Sequence, residues 1–237
     1  PSTETGATRG QIWGTTGAAT LIVRAARVQL RKLTIENTFD FLPNDALPQD
    51  DPQRIQHTQA PALHLDKGSD EFYAQDLNIL GHQDTLFINS GRSRFDKVLV
   101  AGNIDFIFGS GQAYFTASEI KTRQRGRPAS PHGYVTAPST NIHQPFGFTF
   151  IDCRLTREEN VPDHSVALGR PWHPTTQFSD GRYADPEAIG KTVFINTWMD
   201  AHIAHDAWHP MGGTGKAGDK VLFSPADARF FEYNSTG

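Results

Sequence analysis

FYAQDLNILGHQDTLF (residues 72–87) and FDKVLVAGNIDFIFG (residues 95–109) decide the fold. Both are runs of β-branched and aromatic residues broken by Gly, Asn and Asp, the pattern of short strands joined by tight turns. The second repeats the phase of the first: Val100 answers to Ile79, and Asp105 to Asp84. Outward from this pair, the same apolar position falls on Ile35 and Ile120, giving steps of 44, 21 and 20 residues. One coil therefore takes about 20 to 22 residues, the period of a solenoid whose units bury their apolar face only against neighbours. Leucine-rich repeats have similar periods, but their Leu/Asn signature is missing. The expected fold is all-β, a right-handed parallel β-helix; a β-sandwich with accidental spacing is the alternative on this pattern alone.

Further strand-like runs stand at VQLRKLTIENT (28–38), FGFTFIDCRLT (146–156) and KTVFINTWMD (191–200). The 21 glycines and 15 prolines interrupt most windows that could hold an amphipathic helix. The period breaks after Thr122. RQRGRPASPHG (123–133) and HPTTQFSDGRYADPEAIG (173–190) read as long loops leaving the solenoid, of the kind that wall a binding cleft. Residues 1–237 read as one β-helix domain.

Composition excludes several classes. A net charge of −4 with scattered Lys and Arg argues against a nucleic-acid partner. No 18-residue apolar run exists, so no transmembrane helix is expected. The N-terminal PSTETGATRGQIWG lacks a basic flank followed by an apolar core, so no signal peptide is expected in this chain. Cys153 stands alone, which forbids an intrachain disulfide. Alternating with Ile151 on a strand, it reads as a small buried apolar residue.

Asp84 and Asp105 lie 21 residues apart, one coil, so their backbones should stack at about 4.8 Å. Two carboxyl groups that close do not both ionise easily; one keeps its proton. The pair then offers a nucleophile or base beside a proton donor. Turn capping is the structural alternative for either aspartate alone. The shared phase and the apolar flanks (Leu86 and Phe87; Ile104, Phe106, Ile107 and Phe108) favour a functional pair. Gln59 and Gln83, 24 residues apart, are near the same one-coil spacing, and a side-chain amide can donate to a developing oxyanion without adding charge. A stacked glutamine ladder is the equal alternative.

These segments resemble the pectin methylesterase (pectinesterase) family. QAPAL (59–63) is similar to its glutamine segment, GHQDTLF (81–87) to its QDTL motif, NIDFIFG (103–109) to DFIFG, and LGRPW (168–172) to its arginine–tryptophan motif. MDAHIAHDAWH (199–209) resembles the late segment with a buried tryptophan, here Trp208, and FFEYNSTG (230–237) the near-C-terminal stretch. The resemblance runs from about Val28 to Gly237. It implies hydrolysis of methyl-esterified galacturonate in pectin (homogalacturonan), with release of methanol and no metal or cofactor. Asp105 would be the nucleophile, Asp84 the acid and then the base, Gln59 and Gln83 the oxyanion donors, and Arg170 the partner of Asp105. Trp172, Phe108 and Phe87 would meet the sugar. His82 and Phe87 depart from the family's usual aromatic and tyrosine, and could alter substrate fit.

The resemblance further implies a chain shortened at both ends, a monomer when complete, and a secreted or outer-envelope location that follows from the substrate. Two rivals stay open: a catalytically inactive carbohydrate-binding or envelope β-helix, and a lyase-type enzyme of pectin. His202, His205 and His209 form H-x2-H-x3-H, but no carboxylate or thiol completes a metal set. SGRS and GSGQ do not make a serine nucleophile elbow.

Overall fold

Three parallel sheets run the length of the molecule in the computed structural model, which describes residues 14–237. The stretch read for a leader lies almost wholly outside them. The first sheet stacks Leu21–Val23, Leu63–Leu65, Leu86–Ile88, Ile107–Gly109, Gly133–Pro138 and Val166–Gly169. The second stacks Gln29–Arg31, Phe72–Gln75, Arg92–Asp96, Gln112–Thr116, Phe148–Ile151, Lys191–Ile195 and Arg229–Tyr233. The third stacks Thr34–Glu36, Asn78–Leu80, Leu99–Gly102, Glu119–Thr122, Arg154–Arg157 and Trp198–Met199. Each coil contributes one strand to each sheet in turn. That is the parallel β-helix, and among the described residues no helix is long and apolar enough to cross a membrane.

The phase read from the sequence is the register of the third sheet: Ile35 pairs with Ile79, Ile79 with Val100, and Val100 with Ile120. One detail differs. The 44-residue step is a single coil, because Ile35 and Ile79 are direct neighbours. The surplus is an excursion holding the helix Phe41–Ala46. After Thr122 the period breaks as read while the stacking continues, since Ile120 pairs onward with Leu155 across the 123–133 loop.

Stacking lets the corners be very short. Between the second and third sheets, Lys32, Asp76, Lys97, Ala117, Asp152, Asn196 and Asn234 each take a positive φ of about 47–54°. Asp and Asn accept that conformation readily; Lys and Ala are driven into it by the strands on either side. Cys153 occupies this corner one residue beyond Asp152, and not a strand with Ile151. It is buried as expected, and burial pushes its thiol up to about 11.

Inside the coils, like side chains stack on like. Phe95, Phe115, Phe150 and Phe194 form a ladder with ring centroids 4.6 Å apart and planes within 12°. All four are fully buried. Phe115 has a ring on both faces, so Phe115→Ala should cost about 3–5 kcal/mol in unfolding free energy by chemical denaturation. A loss under about 1 kcal/mol would mean the coils collapse into the gap, against this packing. Trp208 corrects the expectation of a buried tryptophan. It is half-buried on the outermost described coils, stacked on Phe230 at 4.5 Å.

Candidate active site

The cleft lies on the outer face of the first sheet. Asp84 and Asp105 each occupy the corner two residues before a strand of that sheet, in the left-handed conformation (φ 63° and 48°). The backbone N–H of Asp84 donates to the carbonyl of Ile104 at 3.0 Å, so the corners stack as the 21-residue spacing predicts. Leu86 pairs with Ile107 just beyond them. Gly109 closes the second segment at φ 125°, where a Cβ would stand 2.1 Å from the Ile88 carbonyl oxygen. Only glycine fits that approach.

The two carboxyl groups have different surroundings. Asp84 is 7% exposed and Asp105 6%. Burial first, then the neighbouring Asp105 charge, push the Asp84 carboxyl well above the ordinary carboxylate range, and Arg170 only partly opposes this. Asp105 instead receives a two-pronged clamp. Arg170 donates from Nε to Oδ1 at 2.8 Å and from Nη2 to Oδ2 at 2.5 Å. Burial works against the Arg170 charge, but the bonds and charge of Asp105 outweigh it and hold the guanidinium above its ordinary value.

Arg170 follows the strand Val166–Gly169, two strands away from the strand after Asp105. It reaches back over the intervening strand by lying 3.9 Å above the ring of Tyr134. Its backbone N–H donates to the Thr136 carbonyl and that of Trp172 to the Pro138 carbonyl, which fixes where both side chains emerge. Nothing in the sequence singled out Tyr134, because an aromatic at an alternating strand position reads as ordinary packing.

One cleft of about 660 Å³ is lined by Gln59, Gln83, Asp84, Phe87, Asp105, Phe108, Arg170 and Trp172, the eight residues the sequence put forward. Phe87 and Phe108 stack at 4.3 Å and are 4% exposed each. Their faces are largely covered, so they act as a base beneath Trp172, whose indole lies 5.7 Å from Phe108. His64 extends the stack below Phe87, also at 4.3 Å. Residues missed by sequence reasoning complete the rim: Thr15, Thr16, Thr175, Arg182 and Met211. Their signal is weak because they come from the helix Gly14–Gly17 and two hairpins, away from the coil period.

The loops divide in their roles. The 173–190 segment forms a hairpin, Thr175–Phe178 with Gly181–Ala184, and walls the cleft. The 123–133 loop instead packs on the 37–58 excursion, where Arg125 donates to the buried Asp45 at 2.8 and 3.0 Å. His82 belongs to that contact, stacked on Phe41 at 4.9 Å, and does not line the cleft. The three late histidines are dispersed: His202 is buried, His205 stacks on His164, and His209 lies against Tyr134.

Fold and cleft together define a class: a right-handed parallel β-helix protein with paired carboxyl groups and a guanidinium in a groove on one sheet. The Pectinesterase family model matches residues 5–224, and the chain belongs to the pectinesterase family. That match begins earlier than Val28, where the motif resemblance starts. The chain is 47% identical over 231 residues to Pectinesterase A of Dickeya chrysanthemi, covering 96% of this chain and 63% of that protein. It thus spans less than two thirds of that curated relative. The pectin methylesterase PemA from Erwinia chrysanthemi superposes with a TM-score of 0.94 at 46% identity, over 100% of this chain and 69% of that one. A pectin methylesterase in complex with a hexasaccharide superposes equally well, TM-score 0.94 at 46% identity, over 99% of this chain and 68% of that one.

Proposed function

We propose that the protein hydrolyses the methyl esters of galacturonate in pectin through a covalent intermediate on Asp105. The observation that carries this is the pairing, in one groove, of two buried carboxyl groups: Asp84, whose pKa burial and the Asp105 charge push well up, and Asp105, held by Arg170. Family membership and the sugar complex of a similar protein support the substrate class. Asp105 attacks the ester carbonyl carbon, and the resulting oxyanion takes hydrogen bonds from the amides of Gln83 and Gln59. Asp84 gives its proton to the departing methoxide, which leaves as methanol. The intermediate is an anhydride between Asp105 and the sugar carboxyl. Asp84, now a carboxylate, takes a proton from water as the water attacks that anhydride. The product leaves as the carboxylic acid and gives its proton to solvent to become galacturonate, Asp105 is restored as the carboxylate, and Asp84 is protonated again.

Each residue given a step in this cycle lines the cleft, and Trp172 offers the aromatic face on which a pyranose ring packs. Pectin lies outside cells, so the same reading sends the protein to the exterior or the outer envelope. The test is methanol release from highly methylated pectin, with folding followed by circular dichroism. The expected result is release that a chelator leaves unchanged. Pectin binding by the folded protein with no methanol would overturn the esterase and favour a carbohydrate-binding β-helix, and chelator-sensitive chain cleavage would favour a lyase.

A further inference from the structure

We propose that Thr58 is a positioning residue for ester hydrolysis, its hydroxyl holding the Gln83 carboxamide with the N–H groups turned toward the reacting carbonyl. This rests on the esterase reading and names how one of its donors is kept in place. The Thr58 hydroxyl donates to Oε1 of Gln83 at 2.6 Å, across 25 residues of sequence.

A carboxamide presents an acceptor at one end and donors at the other, and only the donor end can stabilise an oxyanion. Gln83 lines the groove beside Asp84 and Asp105. Left free, its amide could turn either way. With Oε1 bonded to Thr58, the amide nitrogen is left on the groove side. The flipped amide would aim its oxygen toward the anionic Asp105, whose charge repels it, and would exchange the donated bond for one that the Thr58 hydroxyl accepts.

Thr58 is itself well anchored. The N–H of Ala60, two residues on, donates to the Gln83 carbonyl at 3.2 Å, tying this stretch to the backbone of the residue it orients. Upstream, the side chain of Asn44 accepts from the Ile55 N–H at 2.7 Å and donates to the Ile55 carbonyl at 3.1 Å. Arg54 donates to the carbonyls of Asn44, Asp45 and Leu47. The 37–58 excursion, which the coil period does not require, thus delivers one hydroxyl to the edge of the site. Serine could replace it. Valine, of the same shape, could not.

The experiment measures kcat and KM for methanol release by the parent, Thr58→Val, Thr58→Ala and Thr58→Ser, each also in a Gln83→Ala background. A misaimed oxyanion donor is expected to lower kcat about tenfold in Thr58→Val and Thr58→Ala, part of the ~10²–10³ that loss of such a donor costs. KM should stay within about twofold, since the bond acts on the transition state. Thr58→Ser should recover most of kcat. With Gln83 already alanine, removing the hydroxyl should cost nothing further. A folded Thr58→Val or Thr58→Ala with parental kcat would overturn the proposal, as would an equal loss in the Gln83→Ala background. A folded parent that releases no methanol would overturn the esterase reading, and this one with it, and is seen before any variant is compared.

Discussion

Asp105→Ala is expected to reduce methanol release by roughly 10⁴-fold or more, the scale on which loss of a covalent nucleophile is felt. No neighbour can take over. Asp84 is the other carboxyl group among the residues lining the groove, and burial, the larger of the two influences that raise its pKa, stays in the variant and still disfavours its ionised, nucleophilic form. Removing Asp105 also lifts one of the two influences that raise the Asp84 carboxyl, so Asp84 should ionise more readily in the variant. Arg170 would be stranded above Tyr134 without its anion, so Asp105→Ala should be less stable than the parent. Asp105→Asn keeps the shape and an oxygen to accept one of the two Arg170 bonds. It should lose as much activity but less stability. Methanol assays and denaturation curves on both variants check this. Residual activity above about 1% of the parent in a folded Asp105→Ala would remove Asp105 from the nucleophile role, since general acid–base help alone is worth only ~10²–10⁴.

The parts of this molecule that obey the coil period were open to reading from sequence. Ile35, Ile79, Val100 and Ile120 share a register because a solenoid repeats its burial pattern at fixed intervals, and that regularity survives in the order of residues. Asp84 and Asp105 were legible for the same reason. What the period could not carry is whatever leaves it. The 44-residue step hid an excursion of one coil, because a count of residues does not distinguish two coils from one coil with an insert. Arg170 could be found only through the LGRPW motif, since its route to Asp105 crosses a strand and rests on Tyr134. Thr175, Arg182 and Met211 reach the groove from hairpins whose position depends on tertiary packing. His82 and Phe87 show the limit of motif comparison: both depart from the family pattern, yet only Phe87 lines the groove.

Asp84→Asn should separate what this carboxyl does for chemistry from what it does to stability. Activity should fall by roughly 10²–10⁴-fold, the worth of a positioned general acid, because asparagine cannot protonate methoxide or activate water. Stability should move the other way at neutral and alkaline pH. The folded state holds the Asp84 proton more tightly than the unfolded chain, since burial and Asp105 both raise its pKa. That preference stabilises the fold below the unfolded carboxylate range and is lost as pH rises through the folded pKa. Across this window the parent should lose up to roughly 1.4 kcal/mol per pH unit relative to Asp84→Asn, the slope for one linked proton. Comparing the two proteins cancels the opposite trends of carboxyl groups such as Asp45 and Asp66, whose pKa values are held low by arginines. Denaturation curves of both proteins from pH 4 to pH 9 measure the difference. A constant gap across that range would mean Asp84 titrates alike folded and unfolded. The acid role would then lose its physical basis, because a carboxyl group with an ordinary pKa carries no proton to give at neutral pH.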